Sequence, residues 1–328
     1  MIFGYRFAQV IYVAAELGLA DLLADRTRTV EDLADATGSH APSLHRLLHA
    51  LASLEVVTET EPGRYGLAEL GRYLQSESPG SVRALTTVAC QDASWRAWGQ
   101  LLHSVRTGEP GFDHVTGMSN FDYAARNADF AAGYHEAMAR DTADMAPTIA
   151  ADVDFSRFHT VVDVGGGSGA LMSAILAATP GLRGVLFDKP DALRAAQHTL
   201  ESAGVADRCE IVAGDFLDKV SGGGQAYLLK YIVLDWDDES VIAILRNCHE
   251  AMPADGTLIL IELMLPPRPD ISIAMGDIDL MVTTGGRERT QQEFRGLLEA
   301  AGFLLTSVTA LSGEEHMKVL EAVPHGKG

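Results

Sequence analysis

The residues of this chain best placed to do chemistry lie in Val161-Val162-Asp163-Val164-Gly165-Gly166-Gly167-Ser168-Gly169, an apolar run that breaks into glycines. The run reads as a buried strand, and the glycines let the backbone turn sharply and approach a ligand beside the next helix. That is the chemistry of a nucleotide-type pocket, with Asp163, Gly165 and Gly167 at its centre. The spacing leaves the ligand open. Gly165, Gly167 and Ala170 also satisfy the G-x-G-x-x-G/A fingerprint, so a nicotinamide or flavin oxidoreductase is a rival reading.

The elements around the loop extend the pocket. Ala170 to Ala178 reads as a helix, and Gly184 to Phe187 as a second strand ending at Asp188, where a carboxylate can accept hydrogen bonds from both hydroxyls of a ribose. Asp188 serves either cofactor class. Cys209 to Ala213 is a third strand leading into Gly214-Asp215-Phe216, an acid and an aromatic suited to the amino group and face of an adenine, as in adenosylmethionine pockets. A fourth strand is expected over Tyr227 to Val233, running into Leu234-Asp235-Trp236-Asp237-Asp238-Glu239 and a helix from Ser240 to Met252. A fifth strand, Thr257 to Leu263, a helix over Asp270 to Thr284, a capping box at Thr290 and Glu293 and a terminal hairpin (Leu304 to Leu311, Met317 to Val323) complete the series. Alternating strands and helices closed by a hairpin give an α/β fold, a mostly parallel sheet with an antiparallel C-terminal edge.

Upstream, apolar residues recur at helical spacing from Phe7 to Ala24, Val30 to Thr37 forms a short helix stopped by Gly38, and Ala41 to Leu54 carries the stripe Leu44, Leu47, Leu48, Leu51 and Leu54. A hairpin over Val56 to Leu67 then makes three helices and a wing. A winged helix invites a nucleic-acid reading, but residues 1–80 hold six arginines, no lysine and eleven acids, the wrong sign for phosphate. An interaction module that pairs two copies is the better expectation. Residues 90–150 place aromatic and Met side chains, among them Tyr134 and Met138, at helical spacing. Most are core, though soft sulfurs and flat rings also suit an apolar ring-shaped substrate. Stretches near 61–66, 78–80 and 108–120 read as loops.

Composition limits the remaining classes. A formal net charge of -20 disfavours nucleic acid and anionic membrane as partners. Three scattered cysteines, Cys90, Cys209 and Cys248, offer no C-x-x-C spacing, so neither a disulfide framework nor a zinc site is expected and a reducing cytoplasm fits best. The apolar stretch Ile2 to Leu23 is interrupted by Arg6, Gln9, Glu16 and Asp21, short of the roughly 20 apolar residues a membrane span needs.

Five ordered motifs together resemble the S-adenosylmethionine-dependent small-molecule O-methyltransferases, the group containing caffeate, hydroxyindole and antibiotic-tailoring enzymes. They are Glu16 to Leu23, Thr107-Gly108-Glu109-Pro110 with Phe121-Asp122-Tyr123, Asp163 to Gly169, Asp235 to Glu239, and Gly285-Gly286-Arg287-Glu288-Arg289-Thr290, spread over nearly the whole chain. The resemblance implies a winged-helix-like homodimerisation domain at 1–90, a helical acceptor-pocket segment at 91–150 and a Rossmann-like class I methyltransferase domain at 151–328. By the same resemblance Asp163, Gly165, Gly167, Asp188, Gly214, Asp215, Phe216, Lys230 and Trp236 would surround the cofactor, Lys230 through its backbone. Tyr134, Met138, Leu234 and Met281 would face the acceptor.

One departure matters for the chemistry. Where base-using members of the family carry a histidine before the Asp-Trp pair, this chain carries Leu234, which cannot accept a proton. Glu262 and Glu288, matching the carboxylates that flank that histidine, remain. Three expectations follow, in order: methyl transfer by proximity alone; a substitute base among Asp235, Glu288 and His135; or a non-methylating enzyme that keeps adenosylmethionine as a positive charge beside its substrate, for hydroxylation, decarboxylation or rearrangement. Outside enzymes, a winged-helix regulator sensing adenosylmethionine is the rival.

Overall fold

The computed structural model describes residues 2–326. Its backbone contacts divide the chain into two compact units, one holding the chain up to Trp95 with Asn127–Arg140, the other Arg96–Arg126 with Asp141 onward.

In the first unit, helix Gly4–Glu16 ends where Gly18 turns left-handed (φ 60°), and a separate four-residue helix, Leu19–Leu22, follows. The single helix expected over Phe7 to Ala24 is therefore broken, because apolar spacing continues across a glycine that the backbone uses to change direction. Helix Val30–Thr37 opens with a capping box between Thr29 and Asp32 and closes at left-handed Gly38. Helix Ala41–Ser53 buries Leu44, Leu48 and Leu51. Strands β1 (Arg28–Thr29), β2 (Val57–Glu61) and β3 (Arg64–Leu67) pair in the order β1-β3-β2; β1 was too short for its residue pattern to reveal. Tyr65 on β3 is fully buried beneath this small sheet's helical cover.

The second unit is built on a seven-stranded sheet. Strands β4 (Thr160–Val164), β5 (Arg183–Asp188), β6 (Cys209–Ala213), β7 (Ala226–Lys230) and β8 (Thr257–Leu263) run parallel, and β9 (Phe303–Leu311) and β10 (Glu314–Pro324) form a hairpin. The order is β6-β5-β4-β7-β8-β10-β9, with β10 antiparallel between β8 and β9. Val161, Val162 and Val164 on β4 are wholly buried, as a parallel strand covered on both faces requires. Each such side chain contributes about 1.5–3 kcal/mol of transfer free energy.

Two expectations about local structure need correction. The fourth strand stops at Lys230 instead of Val233, since Tyr231 takes a left-handed conformation (φ 57°) and a short 3-10 turn, Val233–Asp235, follows. The stretch 108–120 contains a helix, Gly111–Thr116, and Arg64 to Gly66 lies within β3. Gly111 sits where a side chain would meet the Ala97 carbonyl at 2.6 Å, so its glycine serves close packing in a helix.

Candidate active site

The order of strands reverses at β4, whose neighbours β5 and β7 continue the sheet in opposite directions, and ligands of open α/β sheets bind at the strand C-termini beside such a switch. The glycine loop starts there. Gly165 (φ 77°) donates its N–H to the Phe187 carbonyl at 2.8 Å, and a Cβ on it would lie 2.3 Å from Ile232 Cδ1. Gly167 (φ 54°) donates to Asp188 Oδ2 at 2.9 Å, and a Cβ there would meet only that oxygen, at 4.0 Å. The loop is thus tight on its core side and open beside Asp188.

Asp188, at the end of β5, also accepts the Lys189 N–H through Oδ1 at 2.7 Å. Its neighbour across the sheet leads into Gly214, whose N–H reaches the Asp188 carbonyl at 2.9 Å and whose missing side chain makes room for the Phe187 ring. Asp215 accepts the Leu217 N–H and pairs with Lys189 Nζ at 3.2 Å. Phe216 meets Trp236 edge-on at 5.9 Å, and Trp236 stacks on Phe121 at 5.0 Å. On the inner side, Asp163 is buried with Oδ2 unpartnered among the described residues, and burial pushes its carboxyl up to about 7, Asp188 adding to the shift and Lys230 opposing it. The Lys230 ammonium is held by Asp141 at 2.7 Å and Thr142 at 3.1 Å; burial lowers its pKa and Asp141 works against that.

Beyond Lys230 the chain leaves the sheet on a turn fixed from two sides. From beneath, Glu262 Oε1 accepts the N–H groups of Ile232 and Val233, at 3.0 and 2.8 Å. From the far side, the fully buried Arg289 guanidinium donates to the carbonyls of Val233 and Trp236 at 2.8 and 2.7 Å and to Asp238 Oδ1 at 2.8 and 3.0 Å. The Leu234 carbonyl accepts the Arg287 N–H at 2.9 Å, and a Cβ on Gly286 would fall 1.9 Å from that same oxygen. Only glycine permits this approach.

Three carboxyls surround the turn that carries Leu234. Burial pushes Glu262 up to about 8 against the pull of the Val233 N–H, with Glu288 and Asp235 adding to it. Asp235 rises to about 7 through burial, against a hydrogen bond with Thr284, and Glu288 rises to about 7 through burial and the neighbouring Asp277. Glu262 Oε2 and Glu288 Oε2 have no hydrogen-bond partner among the described residues. Near neutral pH such carboxyls can donate a proton-bearing oxygen as readily as accept.

The second unit therefore brings together Asp163, Gly165, Gly167, Asp188, Gly214, Asp215, Phe216, Lys230, Leu234, Asp235, Trp236, Glu262 and Glu288. Met281 lies half-buried on helix Ile271–Thr283, whose Asp279 accepts the Trp98 indole N–H at 2.7 Å. Tyr134, His135 and Met138 stand in the first unit, Tyr134 edge-on to His135 at 5.9 Å. Sequence reasoning gave no role to Lys189, Asp141, Gly286 or Arg289. Only the last two had a signal, their place in the motif Gly285 to Thr290.

Comparison with known proteins bears on what this arrangement does. Residues 98–304 match the family model of the O-methyltransferase domain, and residues 1–77 match the O-methyltransferase dimerisation domain. The phenazine O-methyltransferase PhzM of Lysobacter antibioticus is 43% identical over 325 residues, 99% of this chain and 94% of that protein. The crystal structure of LaPhzM superposes with a TM-score of 0.94 at 42% identity, covering 99% of this chain and 97% of that one. NcsB1, an O-methyltransferase from neocarzinostatin biosynthesis solved with S-adenosylmethionine and 2-hydroxy-5-methyl naphthoic acid, gives 0.85 at 31% identity over 97% and 96% of the two chains.

Proposed function

This chain belongs to the O-methyltransferase family, and from that premise we propose that it methylates an oxygen of a small aromatic or polyketide-like acceptor, using S-adenosylmethionine and no protein base at position 234. The observation that carries the reading is the open backbone at Gly167 beside the Asp188 carboxylate, at the C-terminal end of β5, with Asp215 and Phe216 following the neighbouring β6. These residues suit an adenosyl group. A carboxylate for ribose hydroxyls, an acid and a ring for adenine, and glycines that admit a bulky chain are a donor set of the right chemistry.

Bound there, S-adenosylmethionine supplies an electrophilic methyl group on a positively charged sulfur. The protein's part is to hold and orient. Asp188 would hold the ribose, Asp215 and Phe216 the adenine, and Gly165 and Gly167 would leave space for the methionine portion, with Asp163 and Lys230 behind them. Leu234 and Met281 would press the acceptor ring into line, with Trp236 on the cofactor side. Orientation alone can lower a barrier by about 7–11 kcal/mol, whereas a general base typically adds about 10²–10⁴-fold, so an acceptor whose hydroxyl is already acidic needs none. Asp235, Glu262 and Glu288 would then serve to bind the acceptor's polar edge. The proposed organisation is a dimer-forming region at 1–90, the acceptor segment at 91–150 and the cofactor domain at 151–328, working as a homodimer in the cytoplasm.

Methyl-labelled S-adenosylmethionine offered with phenolic, carboxylic and polyketide acceptors tests this. Labelled product and adenosylhomocysteine should form in equal amounts, and Asp188→Asn should weaken S-adenosylmethionine binding in calorimetry by roughly 10- to 150-fold, the worth of a charged hydrogen bond. Consumption of an acceptor without adenosylhomocysteine would end the reading.

A further inference from the structure

Away from the methyl-transfer site, the first unit gathers two imidazoles and a carboxylate. His45 and His49 stand four residues apart on helix Ala41–Ser53, which puts them on one face, with ring centroids 4.3 Å apart. Glu59 comes from β2, and one ligand atom from each of the three lies within 4.8 Å of the others. Directly across the ladder from Glu59 is Tyr65, so their side chains share the sheet face. The rings of His45 and His49 lie 6.1 and 6.4 Å from the Tyr65 ring.

A second observation points to a ligand. His45 Nε2 is sequestered from solvent with no hydrogen-bond partner among the described residues, whereas the hydroxyl of the fully buried Tyr65 interacts with the Glu59 carboxylate. Buried polar atoms are nearly always satisfied, so the orphaned imidazole nitrogen in this cluster calls for a missing partner. Glu59 is already oriented, its Oε1 accepting the Gly63 N–H at 2.8 Å and its carboxylate interacting with the Tyr65 hydroxyl.

We propose that His45, His49 and Glu59 bind a divalent transition-metal ion that clamps helix Ala41–Ser53 to the wing hairpin. Imidazole nitrogens with one carboxylate select zinc or its neighbours over magnesium or calcium, and at about 2.0–2.2 Å per bond small side-chain rotations close the three atoms on one ion. Water or the Tyr65 hydroxyl fills the remaining position. The ion ties a helix to a strand that follows it in sequence, so its effect is on the stability of this unit. The cysteine pattern could not reveal such a site, because no thiolate takes part and Glu59 is brought in by the fold.

The test is zinc titration of the full untagged chain by calorimetry, followed by cobalt(II) substitution read by absorption. One equivalent per chain should bind saturably and raise the thermal midpoint. His45→Ala and His49→Ala should each weaken binding by at least about 10-fold, and Glu59→Gln should change the cobalt spectrum. His49 is exposed, so its variant keeps the fold, and His198→Ala, at a likewise exposed histidine of the second unit, serves as the control that should bind as the parent does. Absence of saturable binding, or binding that survives the paired replacement of His45 and His49, would overturn the proposal and leave the histidines as rings packed on Tyr65.

Discussion

At the scale of single residues, the site depends on carboxyls kept in unusual surroundings. Glu262 is fully buried and is pushed up to about 8, far above the ordinary glutamate value. Between the unfolded value near 4.3 and about 8, the folded protein holds a proton that the unfolded chain has released. Stability is therefore greatest below this window and falls as pH rises through it. Glu262→Gln keeps an oxygen for the Ile232 and Val233 N–H groups but cannot ionise. It should flatten the fall in thermal midpoint between about pH 5 and 8, measured by calorimetry, and leave the midpoint at pH 5 nearly unchanged. Asp188 was legible from the sequence because a carboxylate at the end of an apolar run can only sit at a strand terminus. Arg289 was not. A charged residue is ordinarily exposed, and its burial here follows from carbonyls of Val233 and Trp236, supplied by a segment more than fifty residues earlier.

At the scale of elements, the turn Val233–Asp235 sets the place of Leu234, the residue proposed to meet the acceptor. Apolar residues from Tyr227 to Val233 read as one strand, and the sequence does not reveal that Glu262, on the neighbouring β8, draws away the N–H groups that would continue the ladder. The strands β6 and β8 and the helix Ala170–Ala178 matched their patterns closely, since local periodicity and flanking glycines set their ends. Gly286 shows where pattern stops and packing begins: its identity was visible, its reason is the Leu234 carbonyl. Gly286→Ala should force that carbonyl aside. The expected outcome is a fall in the methyl-transfer rate of at least about 10²-fold, as misplacement near the reacting groups produces, with S-adenosylmethionine affinity held within a few-fold because Gly167 and Asp188 are untouched. Equal loss of both would show that the turn supports the cofactor instead of the acceptor.

At the scale of the whole molecule, the alternation of strands and helices made the α/β class readable, while the contacts that bind distant segments did not show. Trp98 reaches Asp279 across 181 residues, and Phe121 stacks on Trp236. Such pairs join the helices of 96–126 to the sheet unit through partners that no local spacing marks. The same long-range assembly sets Asp235, Glu262 and Glu288 around a leucine, in a chain of formal net charge -20. The central claim, that orientation suffices without a protein base, is tested most directly by the pH dependence of single-turnover methyl transfer over acceptors of graded hydroxyl acidity. If the acceptor brings its own ionisation, the break in the profile follows the acceptor's pKa along the series. A break that stays near 7 for every acceptor and disappears in Asp235→Asn would contradict the account and assign Asp235 as the base.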